Sequence, residues 1–237
     1  MKIITGVITA PGRIQPTIDD TVASLERAGF NNPIIYTDHE QSGCWVSWIR
    51  AMADLTTKDT DAIMICEDDV NFSKGLREYL EVSLWPEDPQ KIAVCSPFCP
   101  QLYRSDIAGW CPQNIGWNLC MAQSWIIPIE TARRIYDNFK NVPRDTKKIP
   151  KITPENIHKH NKTIQERLLT DSRIGVWALQ QKLSIWYHTP SLAQHTAIDN
   201  SIIGNNFGMY SLREATDYNP DAEYKDIILR VISGLLN

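Results

Sequence analysis

Three consecutive acids, Glu67-Asp68-Asp69, follow directly on the apolar run Ile63-Met64-Ile65-Cys66. Like charges repel, and burial beside a strand disfavours each of them, so such a triplet is costly unless something positive sits among them. A hard divalent cation, Mg²⁺ or Mn²⁺, removes that cost, and the oxygens of a diphosphate fill its remaining positions. Strand alternation sends Glu67 and Asp69 to one side and Asp68 to the other. A solvated acidic turn capping the next helix is the plain alternative, and position alone does not separate the two. Asp38, Asp171 and His195 are the other residues whose type and setting could do chemistry. Each also has a plain reading, as a turn residue, a helix cap and a hydrogen-bonding histidine.

The elements that must position these groups are legible from periodicity. Ile3 to Thr9 is a β-branched run of strand length, Pro33 to Thr37 a second short strand ending at Asp38, and Asp61 to Cys66 a third ending in the acids. Between them, Thr17 is placed to cap a helix whose face is Ile18, Val22, Leu25 and Ala28, with Gly29 as its stop. Trp45, Trp48, Ile49 and Met52 recur at helical spacing, as do Leu76, Tyr79 and Leu80 before a strand at Ile92 to Ser96. This order predicts an α/β fold with a mostly parallel central sheet flanked by helices and a Rossmann-like N-terminal half. In open α/β sheets ligands sit beyond the carboxyl ends of the strands, where the acids fall. The second half is less regular. Pro97 to Trp117 reads as a loop, Cys120 to Ile127 as a strand, Pro128 as the start of a helix through Phe139, and Asp171 to Leu183 as another. Ser184 to Tyr187 reads as a strand, and Ile227, Ile228, Val231, Ile232 and Leu235 as one stripe of a C-terminal helix.

Taken in order, these pieces resemble the nucleotide-sugar-dependent glycosyltransferases of the glycosyltransferase-A fold. Glu67-Asp68-Asp69 is similar to their DXD-type motif. Thr9-Ala10-Pro11-Gly12-Arg13 resembles the loop after the first strand that receives the nucleotide. Ser24 to Phe30 followed by Ile34 to Asp38 resembles the next helix and strand, whose terminal carboxylate reaches the base. Asp171-Ser172-Arg173-Ile174-Gly175 resembles the later acidic motif beside the acceptor, and Pro190 to His195 a segment whose His completes the metal site. Two positions depart from the pattern: Glu67 stands where many relatives carry Asp, and Thr170 where a Glu precedes the later Asp.

The resemblance implies one glycosyltransferase-A-like domain over residues 1–237, with 1–100 as the nucleotide-sugar half and 101–237 as the acceptor half. Glu67, Asp69 and His195 would hold Mn²⁺ or Mg²⁺, and Asp68 would bond the ribose or a neighbouring cation. Thr9, Ala10, Pro11 and Asp38 would line the donor, Arg13 pair with its phosphates, and Gln123 bond the transferred sugar. Asp171 would be the general base of a hexosyltransferase, inverting if the base lies opposite the leaving group. The donor implied is a nucleotide diphosphate sugar, a UDP-sugar first among them. Trp110, Trp117 and Trp125 could present faces to a sugar or base, or fill the core.

Composition bounds the partners. The 237 residues carry a net charge of -4 with 43% hydrophobic residues, which excludes disorder, collagen and coiled coil as the dominant state. The segment 140–167 is different: eight Lys and Arg stand there against three acids. It reads either as a loop that orders over donor diphosphate or as a flap that brings a nucleic acid, such as DNA with hydroxymethylated bases, to the site. The acceptor is accordingly a saccharide or a modified nucleic acid. Lipid contact ranks well below, since no run approaches the ~20 apolar residues of a bilayer span. The six cysteines without a leader read as reduced thiols of a cytoplasmic protein, and the spacing from Cys95 through Cys99 and Cys111 to Cys120 does not match common zinc sites. Two other functions stay open: a metal-dependent phosphate-ester hydrolase or nucleotidyltransferase, and an inactive nucleotide-sugar-binding module. Oligomeric state is not legible.

Overall fold

The computed structural model describes residues 1–11, 18–40, 42–113, 122–142, 170–196 and 214–235. Along the chain come β1 (Ile3–Thr9), α1 (Ile18–Arg27), β2 (Ile34–Thr37), α2 (Cys44–Leu55), β3 (Ala62–Glu67), β4 (Val70–Phe72), α3 (Leu76–Ser83) and β5 (Ile92–Ser96). They are followed by β6 (Gly109–Pro112), β7 (Ser124–Pro128), α4 (Ile129–Phe139), α5 (Thr170–Gln181), β8 (Ser184–Thr189), β9 (Ala193–His195) and α6 (Tyr224–Leu235).

The central sheet has seven strands in the order β2-β1-β3-β7-β5-β8-β6. β1 runs parallel to β2 and β3, and β5 parallel to β8, while β7 is antiparallel to β3 and β5 and β6 antiparallel to β8. Most strands therefore point one way, as the alternating pattern predicts, with β6 and β7 reversed. β7 belongs to the second half of the sequence yet lies between β3 and β5 of the first, so the halves share one sheet.

Both faces of the sheet are covered, which explains the continuous apolar strands. Along β3, Ala62, Met64 and Cys66 enter the layer beneath α1, α3 and α6, while Ile63 and Ile65 enter the layer beneath α2, α4 and α5. α1 ends where Gly29 takes a positive φ of 89° and the Phe30 N–H returns to the Leu25 carbonyl, a left-handed cap that glycine adopts without strain.

Several expectations need correction. The region expected as a loop over Pro97 to Trp117 contains β6, which pairs with β8 through residues 109–112. The strand expected from Cys120 is seen over Ser124–Pro128, with Cys120 outside the described residues. The buried side of α1 is Thr21, Ser24 and Leu25, with Val22 only half-buried, because two hydroxyls there serve as strand partners. On α6, Ile227 is buried, but Ile232 is 48% exposed and faces solvent. Among the described residues, no helix is long and apolar enough to cross a membrane. Cys66, Cys95 and Cys99 are buried free thiols, and Cys44 and Cys111 are half-buried ones.

Candidate active site

β3 delivers the acids to the carboxyl edge of the sheet, and the chain then turns at Asp68 and Asp69 before entering β4. Each of the three carboxylates has a hydrogen-bond partner of its own, and all three charges act on the buried Cys66 thiol beside them. Glu67 accepts from the Cys44 thiol at the start of α2, Sγ to Oε1 3.5 Å. Asp68, 4% exposed, accepts from the Thr9 hydroxyl at 2.5 Å. Asp69, 2% exposed, places Oδ2 3.1 Å from His195 Nε2.

The Asp69–His195 pair joins residues 126 positions apart in sequence, and the small β4–β9 sheet is what brings them together. Val70 and His195 are register partners in that antiparallel pair. The Thr196 N–H and hydroxyl both donate to the Asp69 carbonyl, at 2.8 and 2.9 Å. On its other side β4 has no strand neighbour among the described residues, and α1 substitutes: the Val70 N–H donates to Thr21 Oγ1 at 3.2 Å and the Phe72 N–H to Ser24 Oγ at 2.7 Å.

A carboxylate oxygen and an imidazole nitrogen are ordinary ligands of Mn²⁺ and Mg²⁺. Two neighbouring ligands of an octahedral ion with bonds of about 2.1 Å lie about 3 Å apart, which the 3.1 Å separation matches. The pair therefore fits one edge of such an ion. Among the described residues, no three His, Cys, Asp or Glu side chains converge on a common point. Glu67 accepts from Cys44 at the start of α2.

Asp38 caps a turn. Its Oδ1 accepts from the Ser42 N–H at 2.9 Å and its Oδ2 from the Gly43 N–H at 2.7 Å. Burial pushes this carboxyl up, but the N–H groups of Gly43 and Ser42, the Ser47 hydroxyl and the Arg50 charge outweigh it and hold it below the usual carboxylate range. Gly43 takes a φ of 94° at the N-cap of α2. Both Asp38 oxygens thus shape the turn that leads into Cys44.

Asp171 lies in the first turn of α5, and its Oδ1 accepts from the Ser172 N–H at 2.7 Å. The neighbouring Thr170 hydroxyl reaches Cys44 Sγ at 3.6 Å. Burial pushes the Cys44 thiol well up, and the Glu67 and Asp171 charges add to that shift. Asp171 and Glu67, 104 residues apart in number, are therefore electrostatic neighbours around one thiol. Behind them Arg173 is buried with its guanidinium 4.3 Å from the centre of the Trp45 ring.

Gln123 lies beside Glu67, whose N–H donates to the Gln123 carbonyl at 3.0 Å. Thr9 and Ala10 are half-buried at the end of β1, and Pro11 is exposed. Trp125 is fully buried against Trp48 and is a core residue, while Trp110 is half-buried and packs edge-on to the buried His188. Arg13, Thr17, Trp117 and residues 143–167 of the basic segment lie outside the described residues. Sequence reasoning missed Cys44, Thr170, Thr21 and Ser24. The one available signal was Cys44 following Gly43 at the start of an aromatic helical face.

No protein-family model matches the chain, and no curated protein sequence matches it. Solved structures to which it is similar include a Drosophila β1,4-galactosyltransferase 7 in complex with manganese, UDP-Gal and xylobiose. That match has 9% identity and a TM-score of 0.36 over 94% of this chain and 83% of that one. A glycosyltransferase involved in glycosylation of the major capsid of PBCV-1 matches at 13% identity and a TM-score of 0.30, over 77% of this chain and 92% of that one. The inositol-1-phosphate CTP transferase from T. maritima matches at 8% identity and a TM-score of 0.35, over 96% and 97%. Likeness of this degree says nothing about chemistry.

Proposed function

We propose that the protein is a metal-dependent glycosyltransferase of glycosyltransferase-A type that moves a sugar from a nucleotide diphosphate sugar, with a UDP-sugar as first candidate, to a hydroxyl of a saccharide. The observation that carries the reading is the Asp69–His195 pair, 3.1 Å apart at the carboxyl edge of the sheet. Asp69 and His195 would hold Mn²⁺ or Mg²⁺ there. When bound, the ion supplies Lewis-acid neutralisation of the departing diphosphate.

The chain's own groups do the rest. Thr9 fixes Asp68 through the 2.5 Å hydrogen bond, which ties the end of β1 to the acid turn and so sets the approach of the donor loop that starts at Ala10. Asp171 takes the proton of the incoming hydroxyl, its carboxylate oriented by the Ser172 N–H. Inversion follows if the acceptor enters from the α5 side, opposite the diphosphate.

A thermal-shift panel of nucleotide sugars with Mn²⁺, repeated with chelator, tests the reading. One donor raises the melting temperature only with metal present, and Asp69→Ala removes that shift. A metal-dependent shift that survives Asp69→Ala refutes the metal assignment. Mass analysis of saccharide acceptors incubated with that donor then separates sugar transfer from nucleotide transfer or simple hydrolysis.

A further inference from the structure

β4, which follows the acid turn, and β9, which ends at His195, have three residues each, and a two-stranded ribbon of that size is marginal by itself. A metal edge needs its ligands fixed to about 0.5 Å. α1 supports β4 from one side, and β9 needs support of its own. One segment, 215–222, reaches both strands. Just past β4, the Ser73 hydroxyl donates to the Asn219 carbonyl at 2.7 Å, the Lys74 N–H to Pro220 at 3.0 Å and the Gly75 N–H to Ala222 at 2.8 Å. The chains approach so closely at Gly75 that a Cβ there would lie 2.0 Å from the Tyr224 nitrogen, in the first residue of α6. Ahead of β9, the Ser191 N–H donates to Asp217 Oδ1 at 3.0 Å, and Arg104 Nε stands 3.2 Å from Asp217 Oδ2.

Within β9 itself one side chain makes the contact. Gln194 Oε1 accepts from the Ala215 N–H at 3.1 Å, and Gln194 Nε2 donates to the Ala215 carbonyl at 3.2 Å. An amide that closes both bonds on one residue's main chain does the work of a strand partner, and it satisfies both polar groups of the buried Ala215. The next residue is His195, whose Nε2 stands 3.1 Å from Asp69 Oδ2. Alternation turns the two side chains to opposite faces, so Gln194 acts on His195 through the backbone they share.

We propose that Gln194 is the positioning residue for His195. Its two bonds to Ala215 hold β9 where the imidazole meets Asp69, and they make metal affinity depend on the docking of segment 215–222. The inference rests on the Asp69–His195 metal assignment above and deepens it. Linkage makes the effect mutual: an ion on this edge tightens the Gln194–Ala215 contact by the factor by which that contact tightens the ion.

The test is Mn²⁺ titration in the presence of UDP, with electron spin echo spectroscopy of the bound ion. In the wild-type protein the echo is modulated by the coordinated His195 nitrogen. Gln194→Ala, in which water can reach Ala215, binds Mn²⁺ about 10-fold more weakly. It also loses most of the nitrogen modulation, because His195 no longer meets the ion that Asp69 and the diphosphate retain. A role confined to stability would lower the urea midpoint and leave the modulation as it is. The wild-type protein tests the same coupling without substitution: saturating Mg²⁺ with UDP slows hydrogen exchange at the Ala215 N–H about 10-fold. Mn²⁺ affinity of Gln194→Ala within about 2-fold of wild type, a modulation that persists, or unchanged exchange at Ala215 overturns the positioning role while the metal assignment stands. Wild-type protein that binds no Mn²⁺, or binds it without nitrogen modulation, overturns the metal assignment itself, and the positioning role with it.

Discussion

Asp69 and Asp171 are both carboxylates at the edge of an element, and their surroundings suit them to different work in the proposed reaction. Asp69 is almost fully buried, held against His195, with its own carbonyl bonded twice by Thr196. A carboxylate fixed this firmly suits a ligand, which must not move as charge develops nearby. Asp171 is half-buried in the first turn of a helix, where the macrodipole favours its anion. In the proposed reaction it is the group that takes the proton of the incoming hydroxyl. Asp171→Asn keeps the shape and the Ser172 hydrogen bond but removes the base that the proposed reaction requires. Transfer falls about 10²–10⁴-fold while donor affinity, measured by titration calorimetry, stays within about 2-fold. Full transfer by that variant would assign the base to another residue.

At the scale of elements, the site depends on a three-residue strand that could not persist alone. β4 is paired by β9 on one side and by the hydroxyls of α1 on the other. Ser24→Ala leaves the Phe72 N–H buried without its acceptor, a loss of about 1–3 kcal/mol. Urea denaturation should show that loss, and Mn²⁺ affinity should fall with it because β4 carries the turn that holds Asp69. An unchanged midpoint and metal affinity would mean that β9 alone holds the strand. This coupling also marks the limit of what the sequence discloses. The β-branched runs of β1 and β3 and the glycine stop of α1 follow from local chemistry and were legible. The polar side of α1 was not, because the need of a strand end for hydroxyl acceptors shows only once β4 lies beside Thr21 and Ser24. Alternation likewise does not announce the pairing of Asp69 with His195, which lies far away in the chain. The order of the motifs marked Asp69, His195 and Asp171 as site candidates, but nothing local announced Cys44 or the Thr9–Asp68 bond.

Across the whole molecule, the acid turn is held in place by contacts between distant parts of the chain, and one of them titrates. His188 on β8 is fully buried, with Nδ1 2.6 Å from the Pro190 carbonyl and Nε2 2.7 Å from the Tyr79 hydroxyl of α3. A carbonyl only accepts, so Nδ1 carries the proton, and the neutral ring accepts from Tyr79 at Nε2. Tyr79 and Trp110 both pack edge-on to the ring at 5.0 Å. The same stretch leads on to Leu192, whose carbonyl accepts from the Ser73 N–H just beyond β4, so this buried junction helps set where His195 meets Asp69. Burial pushes the His188 pKa down to about 4, against the Pro190 hydrogen bond, which acts to raise it. The unfolded chain therefore binds this proton near pH 6.5 and the folded one only near 4. Stability from His188 is complete above pH 6.5 and drains away as pH falls to about 4, by on the order of 3 kcal/mol in total. Denaturant unfolding at successive pH values should show this decline, and His188→Gln should flatten it even if the variant is less stable at neutral pH. Parallel curves for the two proteins between pH 6.5 and 4 would mean that the imidazole is protonated within the fold. The junction beneath the acid turn would then be an ion site and not a neutral one.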